Sequence, residues 1–255
     1  MIVCTKEEPV KFAYSDRYQP RQEDHPRHMH GEYEILLFME GGPAYVVDGR
    51  EFPLSAGTLL LVPPNAYHFA LIKDARRYCR YLIDFRGDAV DPALLNCFPE
   101  QGYSCQLPEG HPILHCFQRL QSLLRTGLEA QRNLILQTFC TQILLELMGM
   151  GQAGEEEHSD PVLSYIDRNL NQIHCAQDIA DALYISSSTL SHQFRERMGI
   201  SLMKYIRQKR LLLARQLLEQ GKKPLEVCTQ CGFGEYTTFY KAYLRYYGVA
   251  PSQSN

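Results

Sequence analysis

The sequence predicts an α+β protein in two parts: an N-terminal β-barrel, then an all-α C-terminal domain built around two helix-turn-helix units. Three observations predict it. Between Glu32 and Phe85 short apolar runs alternate with turn-forming residues, and beyond Pro112 apolar residues recur at helical spacing. Near the end, a short helix, a tight turn and a second helix occur twice. A length of 255 residues with 45% hydrophobic content is enough to bury two cores.

The barrel is assigned to residues 1–108. Ile35 to Met39 reads as a strand that stops at Glu40-Gly41-Gly42-Pro43, and Ala44 to Val47 meets Asp48-Gly49, a type I′ hairpin signal. Leu59 to Val62 ends at Pro63-Pro64-Asn65, and Tyr78 to Phe85 supplies another strand. Evenly spaced short strands of this kind pack as a barrel or sandwich.

Past Pro112, Ile113, Leu114, Phe117, Leu120 and Leu124 fall at helical spacing. So do Leu134, Ile135, Thr138, Phe139, Gln142, Ile143 and Leu147, which predicts two amphipathic helices. Residues 109–150 are therefore read as a helical dimerisation segment, and the Gly- and Glu-rich stretch 151–159 as a linker. The last domain is assigned to 160–253.

Charge divides along the same line. From Asp160 onward there are 12 Lys and Arg against 8 Asp and Glu, while the rest of the chain has 14 against 21. A basic C-terminal part suits a polyanionic partner, and an acidic N-terminal part does not. The N-terminus lacks a basic segment followed by an apolar run, and no stretch of about 18 apolar residues occurs. A cytoplasmic protein with no membrane partner is expected. Nine scattered cysteines read as reduced thiols. Cys228 and Cys231 have a metal-like spacing, but they sit in a helical pattern with no second pair downstream.

In the first helix-turn-helix copy, Gln177 to Leu183 is the short helix, Tyr184-Ile185 the turn, and Ser186 or Ser187 the cap of the next helix. Leu190 and Phe194 face inward, which leaves Ser187, Ser188, Ser191, His192 and Arg195 for a ligand. In the second copy, Leu225 to Cys231 is the short helix, Gly232-Phe233-Gly234 the turn, and Tyr236 to Tyr246 the next helix. Phe239 and Tyr243 face inward; Tyr236, Thr237, Tyr240 and Lys241 face out. Hydrogen-bonding side chains on the N-terminal half of such a helix read base edges in the major groove. Between the copies, Leu202 to Glu219 forms an 18-residue helix, roughly 27 Å long at the usual rise. It carries Lys209 and Arg210, read as contacts to the DNA backbone.

Ser186 to Phe194, Met198-Gly199-Ile200-Ser201, Cys231-Gly232-Phe233 and the closing Gly248-Val249-Ala250-Pro251 occur in order over about the last 95 residues. At these positions the chain resembles the AraC family of bacterial regulators. The resemblance implies a bipartite DNA-binding domain that occupies a double-stranded operator and contacts RNA polymerase. A homodimer is expected from the apolar helix faces of residues 109–150.

In the barrel, His28, His30 and Glu34, then Gly41 after six residues, resemble the first metal-binding motif of the cupin barrels. Gly57, Pro63 and His68 resemble the second, with Asn65 where Gly is usual and the terminal Asn missing. Cupin enzymes use three imidazoles and a carboxylate to hold Fe(II), Mn(II), Ni(II) or Zn(II). Sensor barrels of AraC type often look like this one, and the resemblance implies a pocket for a small molecule. The expectation is a small polar effector at His28, His30, Glu34 and His68, a sugar or sugar derivative by family likeness, with no cofactor. A divalent metal is the alternative use of those four residues. The leading reading is thus an effector-controlled, sequence-specific transcription regulator and not an enzyme. Its rivals are a metal-dependent cupin enzyme fused to a DNA-binding domain, and a constitutive DNA-binding protein with the barrel as a dimerisation scaffold.

Overall fold

In the computed structural model the described residues are 4, 7–42, 44–72, 76–99, 102–150 and 160–254. They form two compact units that divide at Glu155. The proposed linker at 151–159 lies outside the described residues.

The first unit contains β1 (Val10–Tyr18), β2 (Tyr33–Glu40), β3 (Ala44–Val47), β4 (Arg50–Pro53), β5 (Thr58–Val62), β6 (His68–Leu71), β7 (Arg77–Phe85), α1 (Pro92–Leu95), β8 (Tyr103–Gln106), α2 (Pro112–Leu124) and α3 (Arg132–Gly149). The strands make two antiparallel sheets instead of a closed barrel: β1-β7-β2-β5-β8 and β4-β3-β6. Asp48 and Gly49 both adopt left-handed φ, of 48° and 78°, as a type I′ turn between β3 and β4 requires. Both faces of the larger sheet are buried. Leu36, Phe38, Leu60, Val62, Tyr78 and Leu82 pack toward Tyr45, Val47, Phe52 and Ala70 of the small sheet. Ile35, Leu37, Leu59, Leu61, Tyr81 and Ile83 pack against α2 and α3. Strands covered on both sides have no polar face, which is why β2 and β5 at the middle of this sheet read as apolar runs.

The two long helices share this core, through Ile113, Phe117 and Leu120 of α2 and Leu136, Cys140, Ile143, Leu144 and Leu147 of α3. The inward face of α3 departs from the sequence reading. Leu134 is 66% exposed and Thr138 and Gln142 are exposed, so the helix is rotated from the face expected. Apolar residues surround α3 almost completely, and periodicity had little contrast to work with.

The second unit is helical: α4 (Pro161–Asn169), α5 (Ala176–Ala182), α6 (Ser187–Met198), α7 (Leu202–Glu219), α8 (Pro224–Gln230) and α9 (Tyr236–Tyr247). The two turns between paired helices are built alike. After α5, Tyr184 has a φ of 56° and the Ile185 N–H donates to the Ala180 carbonyl at 3.0 Å. After α8, Gly232 has a φ of 76° and the Phe233 N–H donates to the Cys228 carbonyl at 3.0 Å. Each is a left-handed helix stop. They differ in surroundings: Tyr184 is 96% exposed, whereas a Cβ at Gly232 would lie 2.5 Å from the Asn171 carbonyl oxygen.

Opposite stability effects follow. Gly232→Ala combines a disfavoured φ with a backbone clash and is expected to lose about 2–4 kcal/mol, whereas Tyr184→Gly relieves strain and gains roughly 0.5–1 kcal/mol. Denaturant unfolding followed at a second-unit probe measures both; equal tolerance at the two positions would contradict the packing of Gly232 on Asn171.

Candidate functional site

Four polar side chains meet in the first unit. His28 and His30 come from the segment that precedes β2, Glu34 lies on β2 and His68 opens β6. The backbones of His28 and His68 hold each other in a two-bond bridge, with N–H to carbonyl distances of 3.2 and 2.9 Å. Glu34 faces the small sheet, at the next inward position before Leu36. His30 Nε2 is 2.8 Å from Glu34 Oε1, His68 Nε2 is 3.5 Å from Glu34 Oε2, and His68 Nε2 is 3.2 Å from His28 Nε2. All four candidate effector-binding residues are therefore brought together, and their nearest ligand atoms lie within 4.8 Å of one another.

The charges of this cluster are shaped by burial. Burial, with His68 nearby, pushes the His28 imidazole down to about 4. Burial also opposes charge on His30, but the Glu32 and Glu34 carboxylates outweigh it and carry the imidazole up to about 10. Against its own desolvation, Glu34 is held well below the carboxylate range by His68 and His30. Sequence reasoning missed the neighbours. Tyr45 donates to Glu34 Oε2 at 3.3 Å, and its phenol is pushed well up by burial. Asp84 is paired in register with Glu34 across β2 and β7, and burial raises its carboxyl to about 8. Arg80 lies over the Tyr78 ring at 5.5 Å. The signal was present in β7, where Arg80 and Asp84 share the inward register of Tyr78 and Leu82 within an apolar strand.

In the second unit, the Ser186 hydroxyl caps α6 by accepting from the Thr189 N–H at 3.1 Å. Ser188, Ser191, His192 and Arg195 are exposed, and Ser187 is half-buried. His192 Nδ1 lies 3.4 Å from Glu196 one turn on. On α9, Tyr236, Thr237, Tyr240 and Lys241 are all exposed, while Phe239 and Tyr243 are buried. Cys228 and Cys231 belong to the same core as Phe239, and burial raises both thiols, Cys231 to about 12.

Two expected DNA contacts require correction. Arg210 is buried, and its guanidinium donates to the Leu170 carbonyl at 2.9 and 2.8 Å and to the Ile173 carbonyl. Lys209 is drawn against the domain by an ion pair with Asp167, its ammonium 5.6 Å from the Tyr205 ring. Their place follows from the helical period: Ile206, Arg210, Ala214 and Leu218 recur every fourth residue, and all four are buried. A charged residue in a core register is a clasp and not a free cation.

The model of the AraC-like ligand binding domain matches residues 12–144, and that of a helix-turn-helix domain matches residues 179–254. The chain belongs to the AraC family. Among its relatives, the HTH-type transcriptional activator RhaS of Citrobacter koseri is 22% identical over 249 residues, which span 91% of this chain and 89% of that protein. The probable transcriptional regulator LumQ of Photobacterium leiognathi is 32% identical over 91 residues, 35% of this chain and 37% of LumQ. The crystal structure of ToxT from Vibrio cholerae O395 aligns over 96% of each chain at 11% identity, with a TM-score of 0.41. This AraC-family chain is a DNA-binding transcription regulator with an N-terminal ligand-binding domain, and among its described residues no helix is long and apolar enough to cross a membrane.

Lys241→Ala is expected to erode discrimination between operator and unrelated DNA by about 5- to 100-fold while leaving the fold intact. Arg210→Met is expected to lower the melting temperature and leave unchanged the slope of log affinity against log salt, because no phosphate contact is lost. A slope reduced by about one unit in Arg210→Met would place that guanidinium on DNA after all.

Proposed function

We propose that this regulator works as a homodimer that activates transcription when a small polar effector occupies the cluster of His28, His30, Glu34 and His68. The observation that carries this reading is the pairing, in one chain, of a converging polar cluster within an apolar sandwich and two exposed helix faces in a capped helical domain. On α6 the DNA-reading residues are Ser187, Ser188, Ser191, His192 and Arg195; on α9 they are Tyr236, Thr237, Tyr240 and Lys241. The effector acts by binding two states of the protein with different affinity, since a ligand without differential affinity shifts nothing. The site is read as regulatory, without turnover. Contact with RNA polymerase and a cytoplasmic location complete the reading, in keeping with the activator named among the relatives.

The subunit contact is assigned to α3. Leu134, Thr138, Thr141, Leu145 and Met148 recur at alternating steps of four and three, the spacing of a coiled-coil seam. Leu134 is 66% exposed, Leu145 52% and Met148 38%. A second copy of the same helix buries such a stripe in a self-complementary way.

Charging the seam with Leu134→Asp and Leu145→Asp together is expected to convert dimer to monomer in sedimentation velocity without unfolding the sheets. A monomeric wild-type protein at micromolar concentration would rule this contact out. Operator titrations with and without metabolite mixtures test the effector: a shift of about 5- to 150-fold in affinity is the range of allosteric coupling. An affinity that no small molecule moves would return the constitutive scaffold reading.

A further inference from the structure

We infer that Tyr184, in the turn between α5 and α6, contacts the sugar-phosphate backbone of DNA at the edge of the groove that α6 reads. The inference rests on the assignment of α6 as a DNA-reading helix. Two features of the residue pull against the needs of the fold. Its side chain is 96% exposed, more than any other large apolar or aromatic side chain among the described residues. Its backbone sits at a φ of 56°, in the left-handed region that a Cβ disfavours. The bonds that stop α5 run from the Tyr184 N–H to the Asp181 carbonyl at 3.3 Å and from the Ile185 N–H to the Ala180 carbonyl at 3.0 Å, and both are made by backbone alone. A glycine makes the same bonds with less strain, so the second unit has no use of its own for a phenol here. Strain held in place without a packing return points to function.

The place of the residue names the partner. Ser186, two residues on, caps α6 from an extended conformation, with φ −74° and ψ 140°. At most about 7 Å of chain therefore separates Tyr184 from the helix end that enters the groove. Exposed Ile185, Ser186 and Ser188 lead from it to Ser191 and His192, so the phenol continues the reading face instead of opening a separate one. Readers of this kind are oriented on the duplex by contacts to phosphate and sugar, and tyrosine is among the side chains that make them. The serines of α6 are short, and a longer donor at the turn reaches the groove wall that they do not. The hydroxyl donates to a phosphate oxygen while the ring packs on deoxyribose. The corresponding turn residue after α8 is Gly232, packed on Asn171 with no side chain to offer, so this contact belongs to the first helix pair alone.

Full-length protein tests this on two DNAs: a duplex that the wild type selects from a random library, and an unrelated duplex. Tyr184→Gly is expected to weaken both complexes by roughly 5- to 50-fold, and Tyr184→Phe, which keeps the ring, by about 3- to 10-fold. The slope of log affinity against log salt should stay at the wild-type value, because a neutral donor releases no counterion. Thermal unfolding of the same samples should show Tyr184→Gly at least as stable as wild type, so that lost affinity is not lost folding. Unchanged affinity in Tyr184→Gly overturns the contact. A loss confined to the selected duplex overturns it too, by placing the ring on a base edge. So does unchanged DNA affinity with loss of activated transcription in vitro, which gives the turn to a protein partner. Ser191→Ala combined with His192→Ala separates this from the assignment on which it rests. If that variant keeps its preference for the selected duplex, α6 is not a reading helix and the contact falls with it. If the preference is lost while Tyr184→Gly binds as wild type does, the contact alone falls.

Discussion

The buried guanidinium of Arg210 is the interaction on which the second unit depends. Removing a guanidinium from water costs several kcal/mol unless its donors are met, and here the Leu170 and Ile173 carbonyls meet them. Those carbonyls belong to the loop between α4 and α5, which cannot satisfy its own backbone groups while it turns. Gly232, from the second helix-turn-helix, presses on Asn171 within the same loop. One short segment is thus gripped by α7 and by the α8–α9 turn. The two recognition helices inherit a common reference, and the spacing set by α7 is kept instead of left to a flexible joint. Major-groove readers need this, since successive grooves on one DNA face are about 34 Å apart.

Within the first unit the same economy of buried polar groups applies, with a different purpose. His28 and His68 each set Nδ1 against a backbone carbonyl, His30 Nδ1 lies 3.3 Å from Glu32 Oε2, and all three turn Nε2 toward Glu34 or one another. An apolar sandwich gains nothing in stability from such a cluster, since replacing it by packed hydrophobic residues removes the desolvation penalty. Its four ligand-type atoms converge within 4.8 Å of one another, which is the geometry the proposed site relies on. Arg210 is the contrasting case, because every donor named there is spent on the domain's own backbone.

Much of this was legible from residues alone. Asp48-Gly49 placed a hairpin because few residue pairs accept two left-handed φ values, and Ser186, Pro224 and Gly232 marked helix ends for equally local reasons. The resemblance of His28, His30, Glu34 and His68 to the cupin motifs brought them together in prediction, and the structure places them together. Strands β1 and β8 were not legible. Val10–Tyr18 borders the sheet and carries Lys11, Ser15, Asp16 and Arg17 on the way, so its apolar content is low although it pairs along nine residues with β7. Closure was also misjudged: strand spacing fixes neither the number of sheets nor which edges meet. The face of α3 failed for lack of polar contrast, and Arg210 failed because charge was weighed without its register among Ile206, Ala214 and Leu218.

The two units meet different energetic demands. A DNA-reading unit gains from rigidity, because each side chain ordered before binding is one not ordered during it. A sensing unit needs two states that differ by only a few kcal/mol, or no ligand can move it. A largely buried cluster of imidazoles and carboxylates suits that demand, since adding or withdrawing one occupant changes electrostatic energies that water screens less there. The three imidazoles and Glu34 lie on two stretches of chain: the run from His28 into β2, and the start of β6 in the other sheet. An occupant of the cluster would touch both sheets beside the His28–His68 bridge, which is where it could influence their packing.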